Sequence, residues 1–481
     1  MGANERYDII KVRIDAGKEK IHPLSIDTTG VKVGDKICLL PYSTQKNKDF
    51  NSGKVAEVVT AAEKYRYYTV ELPANEKMTS CPITNDAGDV VAMMQRPFSN
   101  NGTTSVYAID ANFPATLSIG ALTANSIALR NIGIKKALPP TEEEALVFLY
   151  MRSSGNNPEE YLALLNDFID TYPANAEGYQ RRATLYAEHY RDSAHFDMAE
   201  KDMEKALSLS TNVGDVYYAM SRMVYVNALA ENPVSYKDWG LAKAIGYIDQ
   251  AITHDSLPLY YQTKGDLCYA LREYKAAYES YQEVNRSNMA TASTWYAAAL
   301  SLEQFGDSTE IETVLGLIDS AINCYAKPYP QEVAPYIWKR AEILMALGLP
   351  REAVMAYNEF HSLMLGKVSA LFYYQREQAA LAGRMNQLAM DDMIRATELE
   401  PKNADYQAEL ASLCARFNQL DNAIAACQKA IELEPDYIDC YRIMGVCYAQ
   451  KGMKEKALEA LNKAKEMGDA HADSLIKKYA K

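Results

Sequence analysis

The stretch Pro435–Glu466, PDYIDCYRIMGVCYAQKGMKEKALEALNKAKE, decides the fold of most of the chain, because the stretch before it follows the same pattern. Pro401 and Pro435 are 34 residues apart, and so are Ala423 and Ala457. A period of 34 residues predicts units of two short antiparallel helices, with each unit stacked on the next. Small side chains are needed where the two helices of a unit cross, because only these let the backbones approach closely.

This repeat resembles the tetratricopeptide repeat (TPR), whose pattern is an aromatic residue, a large–small pair, a second aromatic residue, and then alanines and a proline. The final unit carries the pattern at Tyr441, Met444-Gly445, Tyr448, Gly452, Ala457, Leu461 and Ala464. Working back from Pro435 predicts nine units over about 141–471, followed by a capping helix over 472–481. The second, third and fifth units need insertions to keep the register, and the seventh has Glu377 where a small residue is expected.

The resemblance implies a right-handed superhelix whose first helices line a concave groove. The residues at groove-facing positions are aromatic and polar, which suits an extended peptide or a partner helix. They are Tyr218, Arg222, Tyr225, Gln262, Asp266, Tyr269, Tyr296, Trp338, Glu342, Tyr374 and Gln378. The alternative is that this chain, with 35 Tyr against 10 Phe, uses tyrosine to pack helices together. Both interpretations stay open for the individual tyrosines.

TPR domains that bind chaperone C-termini resemble one another in a carboxylate clamp, formed by Lys and Asn on successive first helices. At those points the last two units have Ala408 with Ser412 and Arg442 with Val446. The clamp residues are absent, so a chaperone C-terminus is not the expected ligand.

The first 117 residues have a different periodicity, with short alternating runs rich in Val, Ile and Tyr that predict strands. The runs are Ile9–Ile14, Lys36–Leu40, Lys54–Val59, Tyr65–Leu72, Asp89–Met94 and Ser105–Ile109. Turn-forming residues separate them, so an antiparallel barrel or sandwich is predicted. A helix over 115–132 completes a first domain over 1–134, and a linker over 135–140 follows. Thr141, with three glutamates after it, predicts the start of the next helix.

This first domain resembles the second barrel of bacterial trypsin-like proteases of the Deg type. Val31–Ile37 and Phe50–Val55 resemble two successive strands of that family, and Ser80–Ala92 resembles the segment that follows its nucleophile. Tyr7–Ile10 resembles the strand that carries its catalytic aspartate. The resemblance implies a trypsin-like half over 1–134. It also implies a bacterial protein of the periplasm or cell envelope, with the cytoplasm as the alternative.

Most of the residues that the protease chemistry requires are missing from this segment. A serine protease needs a nucleophile, a base that accepts its proton, and amides that hold the oxyanion. The resemblance places Thr79 at the nucleophile position and Lys77 at the glycine of the oxyanion loop. Asp8 alone keeps the family residue, and His22 follows it where a catalytic histidine should precede it. An inactive barrel with no catalytic residue is predicted. Either its first half belongs to sequence outside this chain, or the lone barrel is a remnant.

Composition excludes several other classes of function. The 481 residues carry 50 Lys and Arg against 63 Asp and Glu, and a net charge of −13 argues against a nucleic-acid or anionic-membrane surface. No stretch approaches the ~18 consecutive apolar residues of a membrane span. The eight cysteines form no C-x-x-C pair, so no metal and no cofactor are predicted. Cys414, Cys427 and Cys447 are predicted as buried helical thiols, and a pairing of Cys38 with Cys81 stays open.

The predicted function is that of a non-catalytic scaffold for protein–protein interaction. The TPR groove would bind a peptide or a partner protein, and the barrel would act as a second docking module or as a cap. The alternative is a trypsin-like serine protease or other hydrolase, in which the repeats deliver substrate to a barrel completed by further sequence. A third possibility is an assembly scaffold that forms by self-association of the array.

Overall fold

A computed structural model of the chain describes residues 2–4, 6–7, 9–12, 14, 16–42, 50–61, 64–100, 103–117, 138–153, 157–307 and 309–479. The chain divides into two compact units, Met1–Thr211 and Asn212–Lys481. Within these described ranges the first unit contains eight strands and four α-helices, and the second contains fifteen α-helices.

The strands belong to a small two-stranded sheet and a closed barrel. They are β1 (Gly2–Asn4), β2 (Ile9–Lys11), β3 (Lys36–Leu39), β4 (Asn51–Ala61), β5 (Tyr65–Glu71), β6 (Pro82–Thr84), β7 (Val90–Asn100) and β8 (Thr103–Asp110). Six of them close the barrel in the order β3-β4-β5-β8-β7-β6, and all neighbouring pairs are antiparallel. Alternate residues of these strands face the interior, since side chains along a strand point to opposite sides. Thus Ile37 and Leu39 of β3 are fully buried, as are Val106 and Ala108 of β8.

The six barrel strands differ from the six predicted runs in one member. The run Ile9–Ile14 lies outside the barrel, where Ile9–Lys11 pairs with β1 in the two-stranded sheet. The missing strand is Pro82–Thr84, which closes the barrel by pairing with β3 and β7. Three residues are too few to display an alternating pattern, which is why the sequence did not reveal it. A helix was predicted over 115–132, and its residues from 118 onward lie outside the described ranges.

From Glu142 onward the described residues form nineteen α-helices. They are α1 (Glu142–Ser153), α2 (Pro158–Thr171), α3 (Ala176–Leu185), α4 (Ser193–Leu209), α5 (Val213–Ala228), α6 (Leu241–His254), α7 (Pro258–Ala270), α8 (Tyr274–Asn285), α9 (Ala292–Phe305), α10 (Ile311–Asn323), α11 (Ala334–Ala346), α12 (Pro350–Leu363), α13 (Ala370–Ala382), α14 (Asn386–Leu399), α15 (Ala404–Arg416), α16 (Leu420–Leu433), α17 (Ile438–Gln450), α18 (Lys454–Glu466) and α19 (Ala472–Tyr479). Taken two at a time, α1 to α18 form nine successive pairs with an odd-numbered first helix and an even-numbered second helix. The predicted domain limits at 134, 140 and 471 stay a prediction.

Small residues stand where the two helices of a pair cross. A Cβ added to Gly265 of α7 would lie 2.7 Å from the ring of Tyr281 on α8. A Cβ added to Gly445 of α17 would lie 2.6 Å from the side chain of Leu461 on α18. Both separations are well below van der Waals contact, so neither position accepts a side chain without a shift. The predicted fold class, an antiparallel barrel followed by an all-α solenoid, is confirmed.

The turn between the two helices of a pair has the same conformation in five pairs. Its central residue is left-handed, with φ of 63° at Arg272, 71° at Gly348, 60° at Arg384, 58° at Asn418 and 76° at Gly452. The next amide bonds back across the turn, as in Met385, whose N–H donates to the carbonyl of Ala380 at 2.7 Å. This is the Schellman arrangement, in which glycine is the usual left-handed residue. Arg384 therefore holds a conformation that costs a residue with a Cβ about 1 kcal/mol.

We predict opposite effects of exchanging glycine and non-glycine residues at this turn. Arg384→Gly should raise the free energy of unfolding by about 0.5–1 kcal/mol, because glycine adopts the left-handed conformation without strain. Gly452→Ala should lower it by about 1 kcal/mol through strain alone, since a Cβ there meets no atom within 4 Å. Urea unfolding followed by the helical circular dichroism signal measures both. If Arg384→Gly lowers the stability, its side chain stabilises the turn and the strain argument is wrong.

Candidate interaction groove on the first helices

The predicted groove residues lie on the first helices of five successive pairs, namely α5, α7, α9, α11 and α13. Arg222 and Glu342 are exposed on these helices, and the remaining members are half-buried. The half-buried ones are Tyr218, Tyr225, Gln262, Asp266, Tyr269, Tyr296, Trp338, Tyr374 and Gln378. All of them keep surface that a ligand can contact, and that they form a peptide-binding groove stays a prediction.

A first group of these residues, the α5/α7 cluster, consists of Arg222, Tyr225, Asp266 and Tyr269. The hydroxyl of Tyr281 on α8 donates to Oδ1 of Asp266 at 2.7 Å. Burial raises the pKa of Asp266, and the hydrogen bond from Tyr281 opposes the rise. Burial also raises the pKa of Tyr225. The negative charge of Asp266 adds to this rise and the positive charge of Arg222 opposes it, so both charged groups act on the phenol of Tyr225. The cluster thus presents an aromatic surface beside a partly buried carboxylate.

A second group, the α9/α11 cluster, is formed by Tyr296 and Glu303 of α9 with Trp338, Lys339 and Glu342 of α11. The ammonium of Lys339 lies 2.8 Å from Glu303 and 3.2 Å from Glu342. The indole N–H of Trp338 donates to Glu342 at 2.7 Å. Each carboxylate of this cluster therefore has a partner within the protein.

Two of the predicted groove rings pack between helices. The ring of Trp338 lies 5.5 Å from that of Tyr357 and 5.1 Å from that of Phe360, both on α12. The ring of Tyr218 lies 5.2 Å from that of Tyr260, which is fully buried. Replacing Trp338 or Tyr218 would therefore disturb packing as well as the surface, which makes them poor probes of binding.

A third group, the α13/α15 cluster, consists of Tyr374, Glu377 and Gln378 of α13 with Tyr406 and Glu409 of α15. Glu377 is fully buried, and its Oε2 accepts a hydrogen bond from Nε2 of Gln378 at 2.6 Å. Its Oε1 has no hydrogen-bond partner in the part of the chain that the structure describes. Burial, and after it the carboxylate of Glu409, raises the pKa of Glu377 to about 7. The rings of Tyr374 and Tyr406 lie 5.4 Å apart beside this pair.

Sequence analysis missed a buried arginine next to this cluster. Nε and Nη2 of Arg376 donate to the two carboxylate oxygens of Asp392 on α14, at 2.8 and 2.7 Å. Nη1 of Arg376 donates to Oδ1 of Asn358 on α12 at 2.8 Å. Arg376 of α13 therefore connects α12 and α14. Its contact with Asp392 is a bidentate salt bridge, which is among the stronger ion pairs in proteins.

The same arrangement occurs in the second pair of helices. Arg182 of α3 donates twice to Asp202 of α4, at 2.8 Å each, and once to Asn166 of α2 at 2.8 Å. In the fourth pair, Lys264 of α7 lies 2.7 Å from Asp249 of α6. In all three pairs the basic residue occupies the large position of the large–small pair, which is visible in the sequence. Its partners lie on other helices, and no regular spacing along the chain identifies them.

The barrel residues that the protease resemblance singles out lie at a tight turn. The hydroxyl of Thr79 donates to the backbone carbonyl of Glu76 at 2.8 Å, so its proton is held by the backbone rather than by a base. Lys77 belongs to the 3₁₀ turn Glu76–Met78, and the left-handed residue of this segment is Ser80, with φ of 69°. Asp8 lies outside the described residues. The role of the three predicted degenerate positions, Asp8, Thr79 and Lys77, stays a prediction.

All eight cysteines are free thiols, so Cys38 and Cys81 do not pair. Cys414, Cys427 and Cys447 are buried in helices, as predicted. No group of three or more His, Cys, Asp or Glu side chains in the described ranges has a geometry that could hold a metal ion. Nor does that part of the chain contain a helix long and apolar enough to cross a membrane.

Residues 404–437, which contain α15 and α16, match the tetratricopeptide repeat family. The chain is 23% identical over 237 residues to the TPR repeat-containing protein MJ1428 of Methanocaldococcus jannaschii, an alignment that covers 49% of this chain and 39% of that protein. It is 29% identical over 101 residues to the small glutamine-rich tetratricopeptide repeat-containing protein 2 of Saccharomyces cerevisiae, covering 21% of this chain and 29% of that protein. The chain thus spans less than half the length of these relatives.

Among solved structures, the chain is similar to YrrB, described as a TPR protein with an unusual peptide-binding site. The TM-score is 0.36 and the identity 22%, over 42% of this chain and all of that one. The chain thus contains a tetratricopeptide repeat over residues 404–437 and is similar in sequence to proteins that carry such repeats.

We predict that the buried Glu377 makes the stability of the array depend on pH. The pKa of this carboxyl is 4.5 in the unfolded chain and about 7 in the folded protein. The difference lowers the free energy of unfolding, beginning near pH 4.5, increasingly as the pH rises, and by a constant amount above pH 7. The groups around it are Glu409 and Arg416 of α15, Asp392 of α14 and Gln378 beside it. At pH 8 the penalty is about 3 kcal/mol.

Glu377→Gln removes this titration, so it should stabilise the protein much more at pH 8 than at pH 5. Urea unfolding of both forms at the two pH values measures the difference. Glu432→Gln on α16, where the side chain is exposed, is the matched control and should have the same small effect at both. An equal gain from Glu377→Gln at pH 5 and pH 8 would contradict a raised pKa.

Proposed function

We propose that this protein is a non-catalytic scaffold whose first helices bind an extended peptide or a helix of a partner protein. The observation that carries the proposal is the series of half-buried aromatic and charged side chains on consecutive first helices. Such residues combine large contact area with few rotatable bonds, so a ligand can be bound with a small loss of side-chain entropy.

Three of these aromatic side chains, Tyr269, Tyr296 and Trp338, pack against the same hydrophobic core. Burial raises the pKa of Tyr296, Lys339 of the α9/α11 cluster lowers it, and Tyr269 of the α5/α7 cluster adds to the rise. Tyr296 therefore adjoins both clusters, which supports one continuous binding surface rather than separate patches.

We predict that groove and outer-face substitutions separate in a binding measurement. Selection of a random dodecapeptide phage library on the full chain should yield binders, and Tyr296→Ala and Arg222→Glu should each weaken them about tenfold. Two substitutions on second helices are the matched controls, namely Met355→Ala on α12, where the side chain is 71% exposed, and Arg395→Glu on α14. Equal losses in both sets would place the peptide outside the groove.

We also propose that the barrel is a catalytically inactive, protease-like module that docks a second partner or caps the array. Its support is the resemblance of the segment around Thr79 to Deg-type proteases, together with the hydrogen bond that ties the Thr79 hydroxyl to Glu76. The same resemblance supports a place in the periplasm or cell envelope, with the cytoplasm as the alternative.

Self-association of the array would be detected as a concentration-dependent mass by light scattering.

The alternative, a trypsin-like protease or other hydrolase completed by further sequence, differs in one measurable respect. A fluorophosphonate probe labels an activated hydroxyl nucleophile, and we expect no labelling of this chain because the Thr79 hydroxyl donates its hydrogen bond to a backbone carbonyl and not to a base. The probe is applied beside a Thr79→Ala variant and an active serine hydrolase. Labelling that disappears in Thr79→Ala would establish the hydrolase and overturn the inactive-barrel proposal.

A further inference from the structure

The α13/α15 cluster contains a buried carboxylate that forms no ion pair with any described residue. Glu377 is fully buried, and one of its oxygens accepts no hydrogen bond from the described residues. Leaving a buried polar atom without a partner costs about 1–3 kcal/mol, and more for a charged group. A second carboxylate, that of Glu409, lies close enough to disfavour the charge of Glu377 further. Two acids that disfavour each other's charge are stabilised by a proton or a cation near them.

Neither arginine near the cluster forms an ion pair with Glu377 or Glu409 in the described ranges. The charge of Arg416, two turns beyond Glu409 on α15, lowers the pKa of Glu377 and only partly opposes the effects of burial and of Glu409. Arg376, one residue before Glu377, is fully engaged with Asp392 and Asn358. One oxygen of Glu377 is thus the acceptor that a positively charged ligand group could use.

The surroundings of the two acids fit an organic cation better than a metal ion. Burial, and after it the charges of Glu409 and Glu377, raises the pKa of Tyr374, so this half-buried ring lies near both acids. Ring faces attract arginine and lysine side chains. Tyr406 is buried and packs against Tyr374, with 5.4 Å between the rings. Mg²⁺ and Ca²⁺ take about six or more oxygen ligands, and the cluster offers two carboxylates and one amide. Tyr374 and Gln378 are also predicted groove positions, so the acids lie where a bound peptide would pass.

We propose that the α13/α15 cluster is a subsite for an arginine or lysine side chain of the peptide that the groove binds, an inference that rests on the proposed function. Glu409 is half-buried and meets the cation first. Oε1 of Glu377 is buried, so the cation reaches it only after the side chains around it shift. A guanidinium offers five donors in a planar fork, which can serve both carboxylates at once.

In this arrangement the Glu377 carboxylate can hold either a proton or the cation of the peptide, but not both. Near pH 7 part of the Glu377 population holds a proton, which must leave when the cation arrives. Affinity for a basic peptide should therefore rise from pH 6 to pH 8, with release of about half a proton per peptide bound near pH 7. A salt bridge on an exposed surface would release none.

The test uses the full chain and a positional-scanning library of acetylated, amidated octapeptides, in which one position at a time is Arg, Lys, Gln or Glu. We expect one position to favour Arg or Lys about tenfold over Gln, and this preference to disappear in Glu377→Gln and Glu409→Gln. Glu432→Gln on α16 removes the same charge at an exposed site and should keep the preference. It separates local recognition from the attraction of basic peptides to a chain of net charge −13.

Calorimetry in two buffers of different ionisation enthalpy then measures proton release by the selected peptide. Release in the native chain and its loss in Glu377→Gln would support the subsite. Peptides that bind without a preference for Arg or Lys, or with one that both variants retain, would overturn the subsite and leave the proposed function intact. No binding of any peptide would overturn the proposed function and the subsite together.

Discussion

Two helices of a repeat can cross closely only where a small residue stands at the contact, and the geometry of the whole array depends on that crossing. At Gly265 and Gly445 a single added carbon would lie inside the van der Waals surface of the opposite helix. The crossing sets the angle between the helices of a pair, and each pair presents its first helix to the next. Repetition of this local contact stacks similar pairs along the chain, so residues far apart in the sequence can contribute to one predicted surface.

This constraint makes Glu377 informative, because it occupies the crossing position with a long and ionisable side chain. The protein accommodates it by burying the carboxylate completely, at a price that grows with pH. In a repeat array such a penalty is local, since each unit contacts its neighbours and stability is close to a sum over units and interfaces. A single compact core would spread the same disturbance over all of its packing.

The sequence was a good guide wherever a feature repeats, and a poor one wherever a contact joins distant residues. The 34-residue spacing predicted the helices around Tyr441 and Tyr448, because periodicity and small residues follow directly from helix geometry. It did not predict that Pro82–Thr84 closes the barrel, since three residues carry no period. Nor did it predict the contacts of Arg376, whose partners Asp392 and Asn358 lie on two other helices. The groove positions on α5 to α13 followed from the repeat register, but the sequence alone did not distinguish packing rings such as Trp338 from accessible ones.

Arg376 and Glu377 are consecutive residues of one helix, and the contrast between them bears on what the unpaired acid does. Asp392 is as inaccessible as Glu377, and there the chain supplies an arginine that binds both of its oxygens. The second pair of helices repeats this solution with Arg182 and Asp202. In both of these contacts the fold itself supplies the buried carboxylate with a cation, since a buried ion without a partner is strongly destabilising. In the described residues Glu377 accepts one amide hydrogen bond and forms no ion pair, and it lies beside residues of the predicted groove. The packing of the helices does not explain this unpaired acid, because at Asp392 and Asp202 the same packing includes an arginine, whereas a positively charged ligand would explain it.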